Sequence, residues 1–267
     1  MEHASISSPP RFAGQEEPVS ELPRGFFKQL LAESAGEWKL SPRLVSLIAL
    51  APIFIALAGV VTALIGGKVY RAFTGEDRFA ENLQVFLWLL AFGLGFLVIK
   101  RHWLAGRFVM ALLYLCLNAG IFVIIGEEVS WGQRILGLET PETLKTVNRQ
   151  REINIHSLEG MIDTFRSLYL IIGAYGTILP LLFMRRQAST GATFARRRAV
   201  ISMLVPHYTL VLYFLATLVW RIYLGFWRLP DKYYFVMTKY SEVIELILAM
   251  GFFLFMSFQL RKISEDG

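Results

Sequence analysis

The chain has 267 residues, of which 55% are hydrophobic and 18% charged, and its formal net charge is +6. Its mean hydropathy is +0.48. Soluble domains carry about 25% charged residues, so the composition excludes an ordinary soluble domain. We attribute the excess of positive charge to membrane topology and do not expect a nucleic-acid partner. The single cysteine, Cys116, excludes an intrachain disulfide.

The N-terminal region divides into two parts. Residues 1–21 are polar and contain proline, which predicts a disordered cytoplasmic tail. Within residues 22–43, four apolar residues recur at helical spacing: Phe26, Phe27, Leu30 and Leu31. This pattern predicts an amphipathic helix on the membrane surface, with a poorly ordered linker as the alternative.

Six apolar runs occupy the rest of the chain, residues 44–262. They cover residues 44–66, 83–99, 104–126, 166–184, 199–223 and 240–260. A helix needs about 20 mostly apolar residues to cross the hydrocarbon core of a bilayer. We therefore predict an all-α polytopic membrane protein with six transmembrane helices. The fifth run contains Pro206, which predicts a kink near His207.

The distribution of basic residues predicts the orientation. The loop between the fourth and fifth runs carries five arginines and no acid: Arg185, Arg186, Arg196, Arg197 and Arg198. Because Lys and Arg favour cytoplasmic loops, this loop is expected on the cytoplasmic side of a bacterial inner membrane. Both termini are then expected on the cytoplasmic side as well. The connection 127–160 is then extracytoplasmic.

That connection is the longest between two spans, and loops of such length are usually functional or have structure of their own. In the segment ETPETLKTVNRQ, Thr140 is a plausible N-cap, Pro141 fits the first helical position and Glu142 lies in the first turn. A short interfacial helix is predicted there.

The connection begins with GEEVSWGQRILG, residues 126–137. If the third helix continues into this stretch, Glu127, Ser130 and Arg134 share one face, with Glu128 and Trp131 adjacent. A carboxylate near the hydrocarbon edge is costly unless it is paired or hydrated. The stretch is therefore either a solvated helix end with a structural ion-pair network or part of a working site.

Two further elements carry ionisable residues. In REINIH, Glu152 and His156 point the same way whether the segment is helical or extended. At the start of the sixth span, Glu242 and Glu245 are three residues apart on one helix face, and Arg221 is an obvious ion-pair partner for them.

Carboxylates combined with imidazole suit two kinds of chemistry. They can act as general acid and base, or they can bind a divalent metal. The candidate metal ligands are Glu128, His156, Glu242 and Glu245. Any such site relies mainly on carboxylates, because His102 and His207 are expected toward the cytoplasmic side.

The motif EEVSWGQRILGLETPE followed by EINIH resembles a pattern in bacterial multi-pass membrane proteins of unassigned function. In that pattern, Glu-Glu-x-Ser-Trp-Gly-Gln-Arg precedes Glu-Thr-Pro-Glu and then Glu-x-Asn-x-His. The resemblance covers residues 127–156 and implies that nine residues belong together: Glu127, Glu128, Ser130, Trp131, Gln133, Arg134, Glu152, Asn154 and His156. It implies no particular reaction.

The leading hypothesis is a hydrolase or transferase that acts on a membrane lipid or a lipid-linked substrate. The expected catalytic residues are Glu127, Glu128, Glu152 and His156, with Glu152 steadying His156. The expected substrate contacts are Arg134, Ser130, Trp131, Gln133, Asn154 and Arg221, with Arg134 placed to bind an anionic headgroup. The alternatives are a transporter, or a subunit of a membrane complex or homo-oligomer that uses the same loop for recognition.

Overall fold

A computed structural model describes residues 25–185, 200–227 and 233–265 of the chain. Within these ranges the structure is helical and contains no strand. The tail predicted over residues 1–21 lies outside the described residues, as do four arginines of the fourth loop: Arg186, Arg196, Arg197 and Arg198.

The helices are taken in chain order. They are α1 (Phe26–Trp38), α2 (Pro42–Ile65), α3 (Gly67–Thr74), α4 (Phe79–Leu104), α5 (Phe108–Glu128), α6 (Gln133–Leu136), α7 (Glu142–Val147), α8 (Ile162–Arg185), α9 (Val211–Phe226), α10 (Tyr234–Lys239) and α11 (Ser241–Glu265).

Within the described ranges, six helical segments are long and apolar enough to cross a membrane. They are Pro42–Ile65, Gly67–Leu104, Phe108–Glu128, Ile162–Phe183, Tyr208–Phe226 and Tyr234–Ile263. The predicted all-α fold with six spans is therefore confirmed, and the chain is a multi-pass membrane protein.

Helix α11 lies at the centre of the bundle, where it packs against α2, α4 and α9. Its residues from Val243 to Ala249 are buried except for Glu245. A helix that is apolar on all sides favours such a central position. The outer helices instead expose aliphatic side chains such as Leu47, Leu112 and Ile171, which is the surface that lipid requires.

We call the end of the bundle formed by residues 66–78, 129–161 and 233–240 the loop end. The tail end is the opposite one, where α1 and residues 105–107 and 200–210 lie. The predicted helix in residues 22–43 forms as α1, whereas its position on the membrane surface stays a prediction.

Helix α1 packs tightly against the tail end. Trp38 stacks on Phe258 of α11 with 3.7 Å between ring centroids, and its ring lies 4.5 Å from that of His207. The His207 Nε2 atom also lies 3.3 Å from Glu37 Oε2, and the Tyr208 hydroxyl donates to a carbonyl of α1 at 2.7 Å. Aromatic stacking and polar contacts thus fix α1 to the bundle.

The fifth span begins later than the predicted residue 199. Its helical conformation starts at Tyr208, because Pro206 lacks an N–H group and disfavours helical geometry at the residue before it. His207 consequently precedes the span instead of lying two turns inside it, and the predicted kink is a break before the helix.

The interfacial helix also begins later than predicted. Helix α7 starts at Glu142, and Pro141 occupies the N-cap position expected for Thr140. The Thr140 hydroxyl instead donates a hydrogen bond to the Arg151 carbonyl at 2.8 Å. Thr140 therefore ties the two arms of the connection together.

Candidate functional site

The third span ends abruptly at the loop end. Helix α5 stops at Glu128, and three consecutive residues then adopt positive φ: Ser130 at 47°, Trp131 at 53° and Gly132 at 81°. The helix continues past Gly126 only as far as Glu128, so the arrangement with Glu127, Ser130 and Arg134 on one face of a longer helix does not form. Left-handed backbone at two residues with side chains is costly, so surrounding contacts must hold this turn.

The turn folds Trp131 back onto its own helix. The indole covers Gly126 so closely that a Cβ there would lie 2.9 Å from three ring carbons. The Trp131 Nε1–H donates to Glu127 Oε1 at 2.7 Å, and the ring meets Phe122 edge to face. A glycine is required at position 126 because any larger residue would displace the indole.

Glu127 is the anchor of the whole connection. Its carboxylate is 4% exposed, and Oε2 accepts hydrogen bonds from the backbone N–H groups of Ile155 and His156 at 2.6 and 2.7 Å. The His156 ring lies against the same oxygen, with 3.2 Å between Nδ1 and Oε2. These donors satisfy the buried charge.

We expected from the sequence that Glu152 would steady His156, but in the structure it is the Glu127 carboxylate that contacts the His156 ring. Glu152 accepts a hydrogen bond from the hydroxyl of Ser130, which is buried, and a longer one from Asn154 Nδ2 at 3.5 Å. Glu152 thereby helps to hold the left-handed turn after α5.

Gln133 and Asn154 complete the hydrogen-bond network of the connection. The Gln133 side chain accepts from the Ile153 N–H at 2.6 Å and donates to Thr140 Oγ1 at 2.6 Å. Asn154 is buried, and its carbonyl and side-chain oxygens accept from Asn148 Nδ2 at 2.8 and 2.9 Å. Both side chains therefore hold the loop together through hydrogen bonds.

The structure therefore brings together seven residues of the sequence motif: Glu127, Ser130, Trp131, Gln133, Glu152, Asn154 and His156. The backbone of Arg134 lies in α6, but its side chain lies outside the described part of the structure. Glu128 points elsewhere, into a cavity.

The cavity has a volume of about 830 Å³ and lies between the connection and the ends of α5, α8, α9 and α11. Its charged lining residues are seven glutamates, three basic residues and one histidine: Glu76, Glu81, Glu127, Glu128, Glu152, Glu242, Glu245, Arg166, Arg221, Lys239 and His156. Carboxylates thus outnumber the cationic side chains in this wall by more than two to one.

Each basic residue of the wall is engaged by a carboxylate. Arg221 Nη2 lies 2.7 Å from Glu245 Oε1, as the sequence suggested, and the guanidinium also lies 4.4 Å above the Tyr169 ring. Lys239 pairs with Glu76 at 2.9 Å, and Arg166 with Asp163 at 3.1 Å. The positive charge of the wall is therefore largely neutralised.

Two carboxylates lack such partners. Neither Glu128 nor Glu242 forms a hydrogen bond or an ion pair with any residue that the structure describes, and both line the cavity. Glu128 also lies close enough to Glu242 and Glu245 for mutual electrostatic repulsion. A positively charged ligand would relieve that repulsion.

A hydrogen bond and an ion pair link two chain segments beside the cavity. The Tyr70 hydroxyl of α3 donates to the Val236 carbonyl of α10 at 2.6 Å, and the Lys239–Glu76 ion pair joins the same two segments. We call these segments, residues 66–78 and 233–240, the cover.

Among the residues that the structure describes, no group of three or more His, Cys, Asp or Glu residues has a geometry that could hold a metal ion. His156 faces Glu127, whereas Glu245 is occupied by Arg221. The metal site proposed for Glu128, His156, Glu242 and Glu245 stays a prediction without geometric support.

Sequence reasoning missed several lining residues. Glu81 begins the buried face of α4 and accepts a hydrogen bond from the Asp77 N–H at 2.8 Å, while Tyr169, Trp227 and Tyr234 supply aromatic surface. The available signal for Glu81 was an acidic residue just before an apolar run. The aromatic residues had no signal beyond that of ordinary interfacial anchors.

Comparisons of the chain with family models, with curated proteins and with solved structures found no match.

Proposed function

We propose that the protein is a membrane-interface enzyme that binds an amine-bearing amphiphile in the loop-end cavity and catalyses hydrolysis or group transfer there. The observation that carries the proposal is the Glu127–His156 pair on the wall of a cavity rich in carboxylates. In this proposal His156 is the catalytic base and Glu127 is its positioning residue.

The geometry of the pair supports proton transfer by His156. A carboxylate beside Nδ1 favours the tautomer with the proton on that nitrogen. The lone pair of Nε2 is then available, and this atom forms no hydrogen bond with a described residue. The His156 side chain is 33% exposed and lines the cavity, so Nε2 can take a proton from water or from a substrate hydroxyl.

The charges of the cavity support a cationic headgroup. The three basic lining residues already have carboxylate partners, whereas Glu128 and Glu242 have no hydrogen-bond or ion-pair partner among the described side chains. Trp227 and Tyr234 provide aromatic surface in the same cavity, and aromatic faces attract ammonium groups. An anionic headgroup bound by Arg134 stays a prediction from the sequence.

The setting supports a lipid-like substrate. The cavity lies where α5, α8, α9 and α11 end, and these helices belong to four of the six spans. An amphiphile in the bilayer can therefore present its headgroup to the cavity while its chain remains in lipid. We place the loop end on the extracytoplasmic side of a bacterial inner membrane, with both termini inside, on the strength of the basic residues in the opposite loops.

A binding experiment tests the ligand class. Detergent-purified protein is titrated with hexyltrimethylammonium, hexanoate and hexanol, which share one chain length, and thermal unfolding is followed. The ammonium compound is expected to raise the unfolding midpoint more than the other two, because it alone carries a positive charge.

Two variants and a control locate the effect. Glu128→Gln and Glu242→Gln should each abolish the stabilisation by ammonium, whereas Glu159→Gln, an exposed glutamate of the connection outside the cavity wall, should retain it. The proposed site for a cation would be overturned by equal shifts of the unfolding midpoint with the three ligands. It would also be overturned if a protein carrying both Glu128→Gln and Glu242→Gln were stabilised by ammonium as much as the wild type.

A second experiment tests catalysis. Vesicles of phosphatidylethanolamine are incubated with the reconstituted protein, and lipid products are measured by mass spectrometry. His156→Gln should lower the rate at least about 100-fold, which is the contribution typical of a general base. Turnover that is unaffected by His156→Gln would exclude the assigned role, and no turnover of the amine lipid would overturn the enzymatic proposal even if ammonium binds.

A further inference from the structure

A line of buried polar side chains runs along α4, away from the cavity. Gln84, Trp88 and His102 on α4 and Asn118 on α5 are each no more than 1% exposed. None of their polar side-chain atoms forms a hydrogen bond with a residue that the structure describes: both amide atoms of Gln84 and Asn118, Trp88 Nε1 and both ring nitrogens of His102.

These residues lie on one face of the helix. Positions 81, 84, 88, 95 and 102 follow the three-and-four spacing of a helix side, and all five belong to the buried face of α4. That face is covered by α5 and α11. The rise from Glu81 to His102 is about 31 Å, which equals the thickness of the hydrocarbon core.

The two ends of the line reach opposite ends of the bundle. Glu81 lines the loop-end cavity, so the line starts at the acidic site. His102 lies near the tail end, where its ring stacks on Tyr114 with 5.3 Å between centroids and Arg107 is close enough to act on it electrostatically.

Asn118 occupies the middle of the line. It faces Gly95 of α4, and a Cβ at that position would collide with the Asn118 amide. The glycine therefore makes the space in which an amide fits between two closely packed helices. An apolar residue would fill the same space without any hydrogen-bonding requirement.

The folded state would be destabilised if these groups had neither a protein partner nor a bound water. An unsatisfied buried polar group costs about 1–3 kcal/mol, and a lipid-embedded bundle offers no external water to compensate. Buried polar groups of this kind are normally satisfied by ordered water. The line thus has the chemistry of a hydrated track, with donors and acceptors at intervals and a titratable group at each end.

We propose that Glu81, Gln84, Asn118 and His102 line a water-filled path along which protons cross the bundle between the loop-end cavity and the tail end. A proton entering at Glu81 protonates its carboxylate, and the resulting acid gives a proton to the first water of the path. Each water passes a proton on as one O–H bond forms and another breaks, and a ring nitrogen of His102 accepts it. The imidazolium then releases the proton to water at the tail end, which returns both side chains to their starting states. The longest intervals, from Trp88 to Asn118 and from Asn118 to His102, are each about 10 Å along the helix. Each could be bridged by about three waters at ordinary hydrogen-bond spacing.

This inference goes beyond the proposed enzyme and does not rest on it. A proton path needs neither a bound amphiphile nor the Glu127–His156 pair.

The test is proton flux into proteoliposomes that contain a pH-sensitive dye, driven by a potassium diffusion potential. Wild-type protein should acidify the lumen faster than protein-free vesicles. Gln84→Leu and Asn118→Leu should each reduce the flux to the protein-free level. Ser257→Ala should leave it unchanged, because the Ser257 hydroxyl already donates to the Phe253 carbonyl of its own helix at 2.7 Å.

Thermal melting of each variant shows whether a loss of proton flux results from unfolding of the protein or from loss of the path. The leucine variants remove polar groups that have no described protein partner and replace them with apolar side chains, so their melting temperatures should not fall. Gln84→Glu, which is nearly isosteric, adds a protonatable group to the line and should raise the flux. Wild-type flux equal to that of empty vesicles, leucine variants that conduct like wild type, or no gain in Gln84→Glu would overturn the proposal.

Discussion

The two ends of the bundle differ in how many hydrogen-bond and ion-pair contacts their polar residues make. At the tail end, α1 closes the structure with stacked rings, and His207 and Tyr208 both have partners there. At the loop end, Glu127 is fully engaged by the connection, yet its neighbour Glu128 lines the cavity and has no partner in the part of the chain that the structure describes. The comparison separates contacts that build the molecule from groups left available for a ligand, and it predicts different consequences of substitution at each end.

The largest effect on stability is expected at the tail end. Trp38→Ala removes a buried ring stacked on Phe258 and should lower the free energy of unfolding by about 3–5 kcal/mol. Thermal unfolding in detergent measures this. Trp103→Ala is the matched control, since that ring is 61% exposed; an equal loss in both variants would contradict the assignment of Trp38 to the closure of this end.

A slightly smaller loss is expected for Glu127→Ala at the loop end. The substitution leaves the N–H groups of Ile155 and His156 and the indole N–H of Trp131 without their acceptor. It should lower the free energy of unfolding by about 3 kcal/mol. Limited proteolysis should then cut the connection within residues 129–161 faster than in the wild type. An unchanged cleavage rate would show that Glu127 does not anchor the loop.

The adjacent substitution Glu128→Gln should do the reverse. Removing one of several mutually repelling carboxylates should raise the free energy of unfolding by up to about 1 kcal/mol and lower the affinity for alkylammonium at least about tenfold. Unfolding in the absence and presence of the ligand gives both quantities. A destabilised Glu128→Gln protein would place Glu128 in the framework rather than in the site.

The smallest effect is expected for Lys145→Ala on α7. Lys145 pairs with Glu142 at 2.7 Å, but the Glu142 side chain is 85% exposed, and such surface pairs contribute little. No measurable change in unfolding midpoint or in ammonium binding is expected. A clear loss of either would indicate that α7 is part of the site and not only of its surroundings.

The fold was largely predictable because lipid imposes long apolar helices, and each of the six spans is visible as an apolar run. One error arose where Pro206 redirects the backbone and delays the fifth span to Tyr208. The third span ends at Glu128, close to the predicted residue 126, but the left-handed turn from Ser130 to Gly132 that follows it was not predicted. A propensity argument cannot foresee positive φ at Ser130, because the contacts that stabilise it come from distant residues such as Glu152.

The sequence motif indicated which residues lie together better than it indicated their contacts. Seven of the motif residues do lie together, and both Gln133 and Asn154 hydrogen-bond within the connection, whereas the substrate contacts expected of them stay a prediction. Gln84 and Asn118 escaped notice because a single amide in an apolar run looks like any tolerated polar residue. Only the packed structure shows that these amides have no partner among the described residues.

The cover described above also has a consequence for the biogenesis of the protein. One segment of the cover precedes α4 and the other precedes α11. The contacts of Tyr70 with Val236 and of Glu76 with Lys239 therefore join residues that are far apart in the sequence. The last span also brings Glu242 and Glu245 to the cavity and occupies the centre of the bundle. During synthesis, the earlier spans therefore enter the membrane before any cavity exists, and the site comes into being only when the final helix is inserted.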